Sequence, residues 1–429
     1  MARSPILLTC LSVLLLAADI EPRWRVLNHD ARLAIDAKDY TKLRSTLLEL
    51  QALLPGNPRI AYNLAASEAK LGNSAAALTI LRNLAEMGLV YDLAADEDFA
   101  ALKSSSQFAA IAKRMQANKR QVSHSTVAFP LAETDLIPED LAYDPKTRRF
   151  FVSSVRKSKI ITADGKEFAK ADWSIFALAV DAERRILWAT TGWVPQCELC
   201  IKSDDGKTAL LAFDLDSGAL KRRIESPVKG LLGDMTIGRK GDVYVSEGIH
   251  GAVFRLRAGA AELERLDLAG EFPSPQTPAL SADEQTLYVP DYLRGIAAID
   301  LNDPSVADAS RSVTWLQPAS NIATSGIDGL YVFGNSFLAV QNGTHPPRVM
   351  RFSLDLRRQE ILETNTTGLG EPTHGTVVDG TFYFVANGGW NEYDAKGVKK
   401  PGSGPVRSAI WKIPLVKKVG DDGEQAPAP

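Results

Sequence analysis

A strand–turn–strand unit recurs six times from residue 137 onward, and that recurrence limits the fold more than any other feature of this 429-residue chain. The first copy is 137–155, IPEDLAYDPKTRRFFVSSV. Its first strand opens on Glu139 and Asp140. Asp144-Pro145-Lys146-Thr147 then turns the chain, with Pro145 where its fixed φ suits a type I turn. The second strand, around Phe150-Phe151-Val152, has the aromatic and β-branched residues that strands favour. Later copies open on Phe176-Ala177, Gly233-Asp234, Gln276-Thr277, Asp328-Gly329 and Thr373-His374, at intervals of 37, 57, 43, 52 and 45 residues. Their second strands centre on Leu187, Tyr244, Tyr288, Leu338 and Tyr383. A third, mostly apolar strand follows in most copies and a fourth in some. Six such units predict a six-bladed β-propeller over 126–415. The last unit lacks a fourth strand, and 126–131 reads as a strand without a partner. Pairing the two closes the ring and removes its open edges.

The stretch 22–118 contains no convincing strand. Its 3.6-residue periodicity predicts helices, broken at Pro55-Gly56-Asn57-Pro58 and at Gly72-Asn73. Leu43, Leu47 and Leu50 recur 34 residues later as Ala77, Leu81 and Leu84, although Pro55 does not recur. This resembles tetratricopeptide repeats, whose period is 34. About two repeats and a terminal helix are too few for a free-standing solenoid, so the region is expected to dock on the propeller. Two roles stay open for it, a groove for a protein partner or a helical cap. The polar, basic stretch 119–125 reads as a linker. The expected fold class is thus an all-β six-bladed propeller preceded by a small α-helical repeat domain.

Arg3 precedes an apolar run at 6–18, too short for a spanning helix of about 20 residues. It reads as a secretory signal peptide over 1–18, which implies a periplasmic or secreted protein without a transmembrane span. Two cysteines then remain, Cys197 and Cys200, and a lone pair in an exported chain is most simply a disulfide. They lie in a long insertion expected to rise over the propeller mouth as a lid. The net charge of −3 gives no reason to expect nucleic-acid binding. The composition of the tail 416–429 reads as disordered.

In a propeller the opening residues of the inner strands converge on one channel mouth. Here they bring Glu139, Asp234, Gln276, Asp328 and His374 together. Asp291, Asn342 and Asn387 return to that mouth at the ends of second strands, and Trp193 and Trp390 lie in loops above it. This polar and aromatic set suits a small-molecule ligand. Converging carboxylates repel and raise one another's pKa, and a hard cation relieves the repulsion. Calcium takes six to eight oxygen ligands, which Glu139, Gln276, Asp328, Asp234 and Asn342 together with water can supply. The same acids also read as caps of their own loops.

Pro138-Glu139-Asp140-Leu141 with Phe150-Phe151-Val152-Ser153, Ser281-Ala282-Asp283 with Leu287-Tyr288-Val289, and Ile327-Asp328-Gly329-Leu330 resemble the senescence-marker-protein/gluconolactonase family. The resemblance implies a divalent metal, calcium first and zinc second, at Glu139, Gln276 and Asp328. It further implies hydrolysis of lactones or related esters by water. Gln276 stands where the family has Asn, and Gly233 stands where a further Asn meets the substrate. For such a hydrolase Asp328 or Asp234 is the expected general base and His374 the proton shuttle. Asp291, Asn342, Asn387, Trp193 and Trp390 are the expected substrate contacts. The alternative is a non-catalytic ligand-binding propeller whose helical region holds a protein.

Overall fold

The computed structural model describes residues 22–267, 270–302 and 313–415. The expected signal peptide and the C-terminal tail lie outside the described residues.

Among the described residues five α-helices come first: α1 (Arg23–Asp36), α2 (Tyr40–Leu53), α3 (Pro58–Lys70), α4 (Ser74–Glu86) and α5 (Ser106–Ala117). Each break has a local cause. Asp39 caps α2 by accepting from the Lys42 amide, and Asn57 caps α3 by accepting from the Arg59 and Ile60 amides, with Pro58 at the first helical position. Gly88, at φ +79°, turns the chain after α4. The six residues of the 34-residue recurrence, Leu43, Leu47, Leu50, Ala77, Leu81 and Leu84, are all buried.

Six antiparallel sheets come next, one per repeat unit. Their innermost strands are Leu141–Asp144, Ser174–Asp181, Leu232–Ile237, Ala279–Leu280, Ile327–Phe333 and Gly375–Val378. The fold is a six-bladed β-propeller. The inner strand of blade four is only two residues long, because Pro278 has no amide hydrogen to give the ladder. Thr126–Pro130 pairs with Ala409–Pro414 on the outside of blade six and closes the ring as expected. Large apolar side chains from the second and third strands, among them Phe151, Phe213, Phe254, Phe337, Phe352 and Phe382, are fully buried.

The ring is also stitched at the mouth, where every blade junction carries a hydrogen bond. The Leu178 amide donates to Asp140 between blades one and two, and the Thr190 hydroxyl to the Gly233 carbonyl between two and three. The Ser246 hydroxyl reaches the Gln276 carbonyl, and the Thr277 amide the Asp328 carbonyl. The Gly375 amide donates to the Tyr331 hydroxyl, and the Thr373 hydroxyl closes the circle on the Glu139 carbonyl. These bonds hold the strand openings in a fixed ring and thereby position the side chains at the mouth.

The stretch 119–125 is more than a linker. Val122–Ser123 adds a fifth strand to blade five, and Glu363 accepts from the His124 and Ser125 amides. The helices dock on blades four and five. The Val90 amide donates to the His345 carbonyl, the Asn57 amide group to the Leu293 carbonyl and the buried Arg348 guanidinium to the Met87 carbonyl.

Candidate functional site at the propeller mouth

His374 lies at the centre of the strand openings and is 2% exposed. Its Nε2 is 3.1 Å from Asp234 Oδ1 and 3.8 Å from Asp328 Oδ1, and its Nδ1 is 3.8 Å from Glu139 Oε1. Nδ1 is also 3.2 Å from the Glu139 main-chain carbonyl. A carbonyl only accepts, so Nδ1 carries a proton and Nε2 faces the carboxylates. Nε2 is not aligned with Asp234 and has no hydrogen-bond partner among the described residues.

The electrostatics follow from that crowding. Burial disfavours a charged imidazole, but Asp234, Asp328, Glu139 and Asp140 outweigh it and push His374 up to about 10. Burial also raises Asp234, to about 7, with His374 opposing and Asp328 and Asp140 adding to the rise. Glu139 is raised for the same leading reason. Asp140 is raised to about 6, again chiefly by burial, and is committed to the Leu141 and Leu178 amides. A pocket holding this much buried acid needs a positive charge at Nε2, supplied by a proton or by a metal ion.

The donor set fits a metal. Glu139, Asp328 and His374 each offer a ligand atom, all within 4.8 Å of one another. Each carboxylate is held by a neighbour: the Trp390 indole donates to Glu139 Oε2 at 2.6 Å, and the Asn342 amide to Asp328 Oδ2 at 2.6 Å. Asn342 in turn accepts from the Tyr292 hydroxyl at 2.9 Å. Such outer partners fix ligand orientation.

Above this cluster a cavity of about 400 Å³ is lined by Glu139, Gln276, Asp328, Asn342 and Trp390, together with Ser274, Tyr292, Glu371 and Thr373. A second, of about 240 Å³, shares Glu139, Gln276 and Trp390 but is walled by Phe176, Leu231, Ile249 and Pro275, with Gly233 and Asp234. The mouth therefore has a polar half toward blades four to six and an apolar half toward blades two and three.

Of the residues expected here from sequence, Glu139, Asp234, Gln276, Asp328, Asn342, His374 and Trp390 are brought together. Gln276 turns its amide nitrogen to Ser274, 3.2 Å from the carbonyl and 3.1 Å from the hydroxyl. Three others are placed elsewhere. Asp291 is fully buried, and its oxygens accept from the Ser274, Leu293 and Arg294 amides. Asn387 Oδ1 accepts from the Glu371 and Gly389 amides. Trp193 stacks under Lys202, whose Nζ is 4.4 Å from the ring centre. Cys197 and Cys200 are joined as a disulfide, and their loop packs on blade one through Glu198 and Ser158 rather than lining either cavity. Glu371 was not foreseen. It stands two residues before a strand opening, and that position was the only signal for it.

No protein-family profile matches this sequence, and neither does any curated protein. Solved structures do resemble it. A gluconolactonase from Xanthomonas campestris is 17% identical, with a TM-score of 0.46 over 68% of this chain and 89% of its own. A calcium-binding protein, regucalcin, from Agrobacterium tumefaciens is 15% identical, with a TM-score of 0.47 over 67% and 94%. A luciferin-regenerating enzyme is 13% identical, with a TM-score of 0.46 over 66% and 95%. At such identities the likeness says nothing about chemistry.

Proposed function

We propose that the mouth is a divalent-metal centre that hydrolyses lactones or related esters. The observation that carries this reading is the partnerless, buried Nε2 of His374, turned toward Asp234 and Asp328 on two other blades, with Glu139 beside the same ring. Glu139, Asp328 and His374 would hold the ion. A nitrogen ligand among the carboxylates suits zinc or manganese better than calcium, which prefers an all-oxygen shell. When bound, such an ion polarises an ester carbonyl and lowers the pKa of water.

The protein's own groups supply the rest. Asp234, buried beside the cluster with Oδ1 3.1 Å from His374 Nε2, is the carboxylate placed to take a proton from water, as a general base must. Trp390 and Asn342 act as positioning residues for Glu139 and Asp328. Ser274, Gln276 and Thr373 offer hydrogen bonds to a polar acyl group, while Phe176, Leu231 and Ile249 accept an apolar substituent. The substrate class is thus a lactone or ester with an apolar arm. The apolar run at 6–18 supports a periplasmic or secreted setting, and the buried 34-residue recurrence supports tetratricopeptide-like packing of the helices.

A second reading is a non-catalytic ligand-binding propeller. It is favoured by the high pKa of His374, since an imidazolium can neutralise the cluster without a metal. Metal analysis of the purified protein, with hydrolysis assays on a lactone and aryl-ester panel plus zinc, manganese or calcium, separates the two. Stoichiometric metal with turnover lost in Glu139→Gln and Asp328→Asn supports the hydrolase. A protein that takes up no metal and turns over nothing leaves the binding reading.

A further inference from the structure

Glu371 lines the polar cavity of the mouth but is not one of the acids that face His374. Its main chain is fixed at both ends. The Glu371 amide donates to Asn387 Oδ1 at 3.3 Å, and its carbonyl accepts from the Gly388 amide at 2.8 Å. One carboxylate oxygen, Oε2, accepts from the Asn391 amide at 3.1 Å. Oε1 has no hydrogen bond and the side chain no ion pair among the described residues. Burial raises the Glu371 pKa and Asp328 adds to the rise, against the Asn391 amide and the charge of exposed Lys400.

Charge counting leaves this carboxylate over. Glu139, Asp234 and Asp328 face the His374 ring, and a proton on Nε2 or a divalent ion there brings fewer positive charges than those acids carry. No lysine or arginine lines either mouth cavity. A half-buried carboxylate without a counter-charge is stabilised by a cation that arrives with the ligand. The wall beside it suits an organic cation. Tyr292 and Trp390 line the same cavity, and the face of an aromatic ring attracts an ammonium group. The Tyr292 hydroxyl is already engaged by Asn342 Oδ1, and burial, with Asp328 and Glu371 adding to it, keeps that phenol un-ionised. The cavity opens on the cluster in which the buried His374 Nε2 lacks a partner, so a ligand held here also reaches reactive groups.

We infer that Glu371 is a specificity-determining residue of the mouth, and that it selects a lactone or ester carrying an ammonium group. The inference rests on the hydrolase reading for the bond that breaks, whereas the cation would be held equally by a propeller that only binds. The two halves of the mouth then divide the substrate. An apolar substituent lies against Phe176, Leu231 and Ile249, and the ammonium group lies in the polar cavity with Glu371 and Tyr292. A substrate bearing a free carboxylate or phosphate is turned away by the same uncompensated acids.

The test uses the full chain supplied with zinc, so that the probe does not take the place of a metal at the acid cluster. Two probes of matching shape, meta-hydroxyphenyltrimethylammonium and meta-tert-butylphenol, are titrated by calorimetry, and their acetate esters are assayed for turnover. The parent is expected to bind the ammonium probe about tenfold or more tighter than the neutral one, with the same preference in kcat/KM. In Glu371→Gln, which keeps an oxygen for the Asn391 amide, both preferences should disappear. Glu371→Lys should instead favour the corresponding aryl sulfonate. Circular dichroism and the thermal midpoint establish that both variants fold as the parent does. An ammonium preference in binding that is lost in Glu371→Gln, with no ester turned over, upholds the cation subsite and removes the hydrolase reading alone. Equal binding of the two probes by the parent, or an ammonium preference that survives Glu371→Gln, would overturn the inference.

Discussion

His374 Nε2 and Asp234 Oδ1 lie 3.1 Å apart, close enough to interact yet out of line for a hydrogen bond. The imidazole is oriented by a different bond, from Nδ1 to the Glu139 carbonyl, so Nε2 is presented to the acids rather than paired with one. Replacing His374 with Gln removes the nitrogen ligand from the set. Metal affinity, measured by competition with a chromogenic chelator, is expected to drop by well over tenfold. Unchanged affinity would mean that His374 is a packed imidazolium and no ligand.

Trp390 tests the proposed metal site from one residue further out. Its indole holds Glu139 Oε2, and Phe keeps the ring while deleting the donor. Trp390→Phe is expected to weaken metal binding or lower kcat by about tenfold, with KM for a small lactone little changed. A change in KM alone would place Trp390 against the substrate instead.

The ring and its closure were legible because they rest on patterns that sequence carries directly. Period-2 strands, the spacing of the openings and the lone strand near residue 126 were enough, and the structure pairs that strand with Ala409–Pro414. The direction of individual carboxylates was not legible. Asp291 and Asp328 are the same residue type near the same mouth, yet Asp291 turns back to three amides of its own blade while Asp328 faces the channel. That choice depends on which turn presents free amide groups, and turn geometry beyond glycine and proline is weakly written in sequence. The short strand Val122–Ser123 escaped for a related reason, since its partner Glu363 lies some 240 residues away.

Arg348 ties the helices to the propeller. Its guanidinium is buried with no ion pair among the described residues, donating to the Met87 carbonyl at the end of α4 and to Gln341 Oε1. The negative end of the helix dipole stands in for a counter-charge there. Arg348→Met leaves both acceptors buried and unsatisfied, and is expected to cost about 2–3 kcal/mol in urea unfolding. The stretch 119–125 should at the same time become the first site of limited proteolysis.

Acid should weaken the contact between blades one and two. Burial raises the Asp144 pKa, but the Arg185 fork, the Thr147 hydroxyl and the Lys146 amide outweigh it and bring it to about 2. Its stabilising effect is complete above the unfolded value of about 3.9 and is lost as pH falls toward 2. Urea midpoints measured from pH 6 to pH 2.5 should decline less steeply in Asp144→Asn, which starts lower and has no carboxylate to protonate. Parallel declines would assign the acid sensitivity to other groups.

Gly233 decides how wide the mouth is. It stands at the opening of blade three, and a Cβ built there meets no atom within 4 Å, so space rather than backbone geometry distinguishes it. It borders the apolar half of the mouth with Phe176, Leu231 and Ile249. Gly233→Asn should therefore fold with a thermal midpoint close to the parent's, while filling the room left for an apolar arm. The expected kinetic signature is a selective rise in KM, about tenfold, for lactones bearing long alkyl or aryl substituents, because each methylene denied burial costs roughly 0.8 kcal/mol. Unsubstituted lactones should be turned over as before. If both classes lost activity together, the added amide would be acting on the ligand cluster through Asp234, and the division of the mouth into polar and apolar halves would not govern substrate choice.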